Sequence, residues 1–189
     1  MTVAGADDGE VRIPTRTPES RAFAADVERT MVLTAQLNRL TYADLDEVRA
    51  RFAEITGEAP GEGFRLIPPF FADCGRNIRI GTHVFVNQGC TFYSLAPITI
   101  GDEVMIGPNV SLVTSGHPVA PSQRHAALVG KPITIERDVW IGAGATVIGG
   151  VTVGARSVVA AGSVVTEDVP ADSLVGGNPA TLIRSIAGE

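Results

Sequence analysis

A single histidine stands in the polar stretch Thr114-Ser115-Gly116-His117-Pro118, inside a glycine- and proline-rich run from Val113 to Pro132. Imidazole titrates near neutrality and exchanges a proton readily, which is what a general base must do. A solvated loop histidine with no function fits the same five residues, and the loop alone leaves both readings open. The two other histidines, His83 and His125, raise the question of a three-histidine zinc site, an open tetrahedral arrangement. Cys74 and Cys90 form neither a disulfide framework nor a CxxC pair and read as small buried hydrophobes. A net charge of −6 without a Lys/Arg cluster excludes a nucleic-acid or anionic-membrane footprint.

What must hold such a loop is written in the aliphatic spacing. Ile135, Ile141, Val147, Val153, Val159 and Val165 recur every sixth position. A 3.6-residue helix would carry positions six apart to opposite sides, and a period-2 strand gives no reason for the glycine-rich stretches between them. Fixed self-similarity points to a solenoid. The unit, as in Ile141-Gly142-Ala143-Gly144-Ala145-Thr146, is the hexapeptide repeat of a left-handed parallel β-helix, and Ile80-Gly81, Ile100-Gly101 and Ile106-Gly107 share its register. Each aliphatic residue points into a triangular prism. The small residue behind it leaves room at a corner, where Gly or Asn tolerates left-handed backbone. Roughly four coils run from Ile78 to Val169. Val86 to Ile100 is fourteen residues, two more than register allows, which predicts a bulge over Phe92 to Pro97. Val113 to Pro132 must leave the coil as a loop, and a loop ejected from a rigid scaffold is where function gathers.

The expected fold is therefore mainly β, with three segments. Residues 1–16 lack periodicity and predict a disordered tail. Residues 17–63 form an N-terminal helical segment: one helix over 18–38, with a stripe of Phe23, Val27, Met31, Leu37 and Leu40, and a second over 42–56, carrying Leu45, Val48, Phe52 and Ile55 and stopped by Gly57. Helices cannot extend a β-helix, so they should cover its open end or a neighbouring subunit. Residues 64–189 are the β-helix, entered through the extended Phe64 to Phe71. No eighteen-residue apolar run and no signal pattern occur, so a cytoplasmic chain with no membrane contact is expected.

The motifs Pro69-Phe70-Phe71, Asn87, Pro97-Ile98-Thr99-Ile100-Gly101, Val104-Met105-Ile106-Gly107-Pro108-Asn109-Val110, Gly116-His117-Pro118, Lys131-Pro132-Ile133, Val139-Trp140-Ile141-Gly142, Ala161-Gly162-Ser163-Val164-Val165-Thr166 and Gly177-Asn178-Pro179-Ala180 appear in this order. In them the chain resembles the maltose/galactoside/nodulation family of sugar O-acetyltransferases, hexapeptide-repeat acyltransferases, over about residues 64–186. The resemblance implies acetyl-CoA as donor, no required metal, and a small-molecule acceptor hydroxyl on a sugar or other compound. It also implies a homotrimer with sites in the clefts between prisms. His117 falls on the catalytic base and Asn87 on the residue orienting acceptor and acetyl group. Asp73, Phe85 and Ser94 fall on acceptor-side positions, and the Ala143 amide on the donor facing the thioester oxygen. Ala161, Thr166 and Arg184 fall along the CoA channel. Trp140 joins them, since a bulky indole cannot enter a narrow prism.

The departures are specific. Glu167 and Thr181 replace cations expected near the CoA phosphates, Phe85 replaces a tyrosine, and Ser94-Leu95 replaces an aspartate in the bulge. An acceptor pocket so altered suits a non-sugar acceptor, and the altered phosphate end admits a different acyl donor. Glu19 and Asp26 are candidates for an N-terminal acidic residue meeting the acceptor. Two other readings share the solenoid: a γ-carbonic-anhydrase-like zinc hydratase and an inactive trimeric scaffold. Against the first, His83 and His117 lie thirty-four residues apart rather than two coils of eighteen.

Overall fold

The computed structural model describes residues 9–188, so the first eight residues of the expected tail lie outside the described residues. The chain winds a left-handed parallel β-helix of about six turns, with two helices at its N-terminal end. Three parallel sheets form the prism. Face I stacks Arg65–Leu66, Phe85–Val86, Met105–Ile106, Trp140–Ile141, Val158–Val159 and Ser173–Gly177; face II runs from Phe70–Ala72 to Val164–Val165; face III runs from Ile78–Ile80 to Thr152–Val153. Ala180–Ser185 folds back antiparallel on Ser173–Gly177 and ends the solenoid.

Ile80 pairs with Ile100, Ile100 with Ile135, Ile135 with Val153, and Val153 with Val169. These four steps are the coils expected from the hexads, and Leu66 and Val175 extend the stack at either end. All variation in coil length falls at one corner. Between faces II and III the inward column advances eight residues from Ala72 to Ile80, eight from Phe92 to Ile100 and twenty-three from Leu112 to Ile135. It then advances six from Val147 to Val153 and four from Val165 to Val169; every other step is six. The expected bulge after Phe92 is therefore present. A second one lies beneath it after Ala72, and the long loop leaves from the same corner one turn above.

The corner residues divide roles that the sequence reading merged. Where glycine stands just behind the aliphatic it gives clearance: a Cβ on Gly107 would stand 2.8 Å from Ala143 N, and one on Gly142 2.6 Å from Ala161 N, although Asn87 and Glu136 occupy the same position in other coils. Left-handed backbone falls two residues later. Between faces I and II it is taken by Gly89, Asn109, Gly144 and Gly162, but between faces III and I by His83, Glu103, Asp138, Arg156 and Asp172. The strain of these non-glycine residues is offset in part by polar contacts between turns, such as the Arg156–Asp172 ion pair.

Helix α1 (Pro18–Leu37) begins with a capping box: Thr17 and Ser20 exchange side-chain and backbone hydrogen bonds. Helix α2 (Leu45–Thr56) ends on Gly57 in left-handed conformation. As expected, α2 closes the open end of the prism. Its buried Val48, Phe52 and Ile55 meet the first coils, with Phe52 centred 4.7 Å from Phe64 and 5.6 Å from Phe70. The expected stripe on α1 holds at Leu37, which is buried, and in part at Phe23, Val27 and Leu40, but is corrected at Met31, which is 62% exposed; Thr30 and Thr34 are buried instead, because α1 packs on a coil edge with carbonyls to satisfy. The Thr30 hydroxyl donates to Cys74 O at 2.6 Å, and the Asn38 amide exchanges two hydrogen bonds with the Phe70 backbone. The tail is corrected too: Val11–Pro14 is a strand paired antiparallel with Ala127–Gly130 of the ejected loop.

Candidate functional site

His117 follows the short strand Ser115–Gly116 and is exposed at the mouth of a 420 Å³ groove. Val113, Val119, Val129 and Ile148 line that groove, with Glu10 and Lys131 as its charged groups beside His117. The His117 Nδ1 lies 3.0 Å from Arg124 O. A carbonyl only accepts, so this hydrogen bond requires the proton on Nδ1, and the neutral ring then presents Nε2 with its lone pair outward. Arg124 in turn donates from Nη2 to Val119 O at 2.9 Å, closing the loop on itself.

Asn87, Ala143 and Ala161 occupy a different corner, between faces I and II, in the second, fourth and fifth turns of one stack. Asn87 Oδ1 accepts the Gln88 N–H at 2.8 Å, which fixes the side chain. Ala143 O accepts from Gly162 N at 2.8 Å, whereas no hydrogen bond among the described residues uses the Ala143 N–H. An uncommitted backbone donor on a rigid corner suits a developing oxyanion. Trp140 stays outside the prism as expected, 52% exposed on face I beside Met105 and Val158. Phe85 lies further down the same face, with the Arg65 guanidinium 5.8 Å from its ring centre. Thr166 and Glu167 are exposed at the corner between faces II and III, and Arg184 is exposed on the terminal antiparallel strand.

The acceptor-side residues divide. Asp73 Oδ1 accepts the N–H groups of Cys74 and Ser94, and burial pushes its carboxyl above the usual range. Asp73 also lines a 280 Å³ pocket between α1 and face II, together with Val27, Met31, Phe71 and Tyr93. Ser94 does not reach it, contrary to expectation. It is fully buried; its hydroxyl accepts the Gly75 N–H, and its side chain also meets the Asp73 carboxylate, so it supports Asp73 and the corner from behind and does not itself line the pocket. Thr114 continues this ladder, accepting from Ala96 N and donating to Tyr93 O. Asp26 is committed to Arg76 and Arg29, while Glu19 borders a separate cavity beside it. Both cysteines are buried as expected, and burial pushes the Cys90 thiol up to about 11. Sequence reasoning missed Tyr93, Phe71 and the Arg124 carbonyl; Tyr93 ends the strand Cys90–Tyr93 just ahead of the surplus residues, and it points outward, off the aliphatic column that the period of six reports.

The named residues thus stand on two corners separated by face II, His117 and Thr166 on one, Asn87, Ala143 and Ala161 on the other. Among the described residues no three His, Cys, Asp or Glu side chains gather to hold a metal, and no helix is long and apolar enough to cross a membrane.

Comparison with known proteins places this geometry. Residues 132–167 match the family model for the hexapeptide repeat of succinyl-transferase. A putative acetyltransferase of Schizosaccharomyces pombe is 47% identical over 123 residues, 65% of this chain, which spans 59% of that longer protein. The galactoside O-acetyltransferase of Lactococcus lactis is 34% identical over 175 residues, covering 89% of this chain and 82% of its own length. The crystal structure of a hexapeptide-repeat acetyltransferase of Vibrio cholerae complexed with acetyl-CoA matches with a TM-score of 0.80 and 42% identity, over 90% of this chain and 91% of that one. With this coverage and a shared solenoid, the chain is an acetyltransferase and belongs to the maltose/galactoside/nodulation family of hexapeptide-repeat acetyltransferases.

Proposed function

We propose that the protein transfers the acetyl group of acetyl-CoA to a hydroxyl of a small molecule with an apolar body, His117 acting as general base. The observation that carries this reading is the His117 Nδ1 to Arg124 O contact, which leaves Nε2 as the basic atom of a histidine that lines the groove. Nε2 takes the proton of the acceptor hydroxyl as its oxygen attacks the thioester carbonyl carbon. The carbonyl oxygen gathers negative charge, which the Ala143 N–H meets. Collapse of the tetrahedral intermediate breaks the C–S bond, and the CoA sulfur leaves with the proton now on Nε2, restoring the neutral ring.

The two-corner arrangement supports a homotrimer in which one subunit's His117 corner faces the next subunit's Asn87 and Ala143 corner. Face II, with outward Tyr93, Val113 and Ile148, separates the corners within one chain. Met31, Phe71 and Tyr93 around Asp73, and the four aliphatic groups beside His117, favour an acceptor that hides hydrocarbon over a free sugar, which needs polar partners on every side. A panel of free sugars, alkyl and aryl glycosides and apolar alcohols, read by mass spectrometry with acetyl-CoA, tests this. We expect the apolar-bodied hydroxyls to be acetylated fastest; free sugars winning would reverse the assignment.

Glu167 and Thr181 stand where cations for the CoA phosphates would serve. Glu167→Lys should lower KM for acetyl-CoA about 2- to 5-fold, the worth of an exposed ion pair, with kcat unchanged, the signature of uniform binding. An unchanged KM would put the phosphates elsewhere.

A further inference from the structure

The ejected loop does not stand alone. Its strands Ser115–Gly116 and Ala127–Gly130 pair with each other, and Val11–Pro14 adds a third, N-terminal strand to the outer edge. Thr15 continues the contact: its N–H donates to Ala126 O at 2.9 Å, and its hydroxyl to His125 O at 2.9 Å, with Ala126 O at 3.2 Å. The next carbonyl back along the loop, Arg124 O, is the one that faces His117 Nδ1.

We propose that Val11–Thr15 is a positioning strap, holding the backbone of residues 124–126 and, through Arg124 O, the ring orientation and tautomer of His117. The strap is itself anchored. Thr17, two residues on, caps α1, and α1 is bonded to the first coil through Thr30 and Asn38. The loop is thus tied both to its own corner and, by way of α1, to the coil that carries Asp73. Such tethering matters because an untethered loop residue keeps backbone freedom that must be given up each time the site forms, and a misplacement of about 1 Å costs about 10² in rate. An exposed histidine with one carbonyl contact keeps its geometry only if that carbonyl is fixed.

The inference rests on His117 as the base, so His117→Ala is run beside the strap variants. Antiparallel pairing alternates, and Thr15 N–H bonds inward, which puts Ile13 N–H in the same row. Ile13→Pro deletes that donor, and Thr15→Val deletes the hydroxyl at constant shape. We expect Ile13→Pro to lower kcat by about 10²-fold, Thr15→Val by about 3- to 10-fold, and Thr15→Ser to recover most of the loss. KM for acetyl-CoA and the unfolding temperature should stay put, since neither the solenoid nor the proposed donor contacts are touched, while amides of residues 124–130 exchange hydrogen faster. Full kcat in both variants, with or without faster exchange, overturns the strap. So does a kcat loss that tracks a fall in unfolding temperature, which would make the strand merely structural. Full activity in His117→Ala defeats the base reading instead.

Discussion

His117→Ala is expected to lower kcat about 10²- to 10⁴-fold, the usual share of a general base, with the unfolding temperature unchanged. The stability half follows from position: the side chain is exposed and belongs to no part of the buried prism. The rate half follows from the tautomer. With Nδ1 held by Arg124 O, the ring has one free basic atom, and alanine leaves only water to accept the proton. Steady-state kinetics with acetyl-CoA and the best acceptor, beside a thermal melt, separate the outcomes. Undiminished turnover would assign the proton to another group, and a lowered melting point would make the histidine structural.

Phe70→Ala carries the largest expected effect on stability, about 3–5 kcal/mol for a fully buried phenylalanine. Phe70 has no exposed surface and joins two parts of the molecule, with Phe52 of α2 at 5.6 Å on one side and Phe92 of the next coil edge-on at 5.1 Å on the other. Its backbone also carries both Asn38 hydrogen bonds. Truncation opens a void where the helical cap meets the solenoid, and the rigid coils above cannot collapse into it. Urea unfolding at fixed protein concentration measures the loss, the concentration mattering because assembly shifts apparent stability. A change below about 1 kcal/mol would mean that the site closes up, and that the cap contributes little to the coils.

The prism was legible in the sequence because its signal is redundant. Each aliphatic of the hexad sees the same constraint as those above and below, so a period of six survives local exceptions. The bulge after Phe92 was legible as a defect in that count. Its twin after Ala72 was not, since a two-residue surplus in the first coil has no earlier repeat to be measured against. The α1 face misled because Thr30 and Thr34 are buried for their hydroxyls, which an apolar-stripe reading cannot see. Ser94 was misplaced for a related reason: resemblance aligned its position, but burial of the side chain depends on the stacked corner beneath it. The strand Val11–Pro14 escaped entirely, since four residues paired to a distant loop leave no periodicity of their own.

A prism whose other two corners admit no change in length has a single place where its chain can be edited. One residue removed anywhere on faces I to III would turn each later valine and isoleucine of the coil toward water and demand a new partner for each strand. The same deletion between faces II and III only reshapes a corner that already tolerates steps of four, six, eight and twenty-three residues. Variation in what this scaffold recognises is thereby channelled to the corner that carries His117. A loop of another length can leave this corner without disturbing the opposite one, where Ala143 and Ala161 keep the six-residue spacing of the coil.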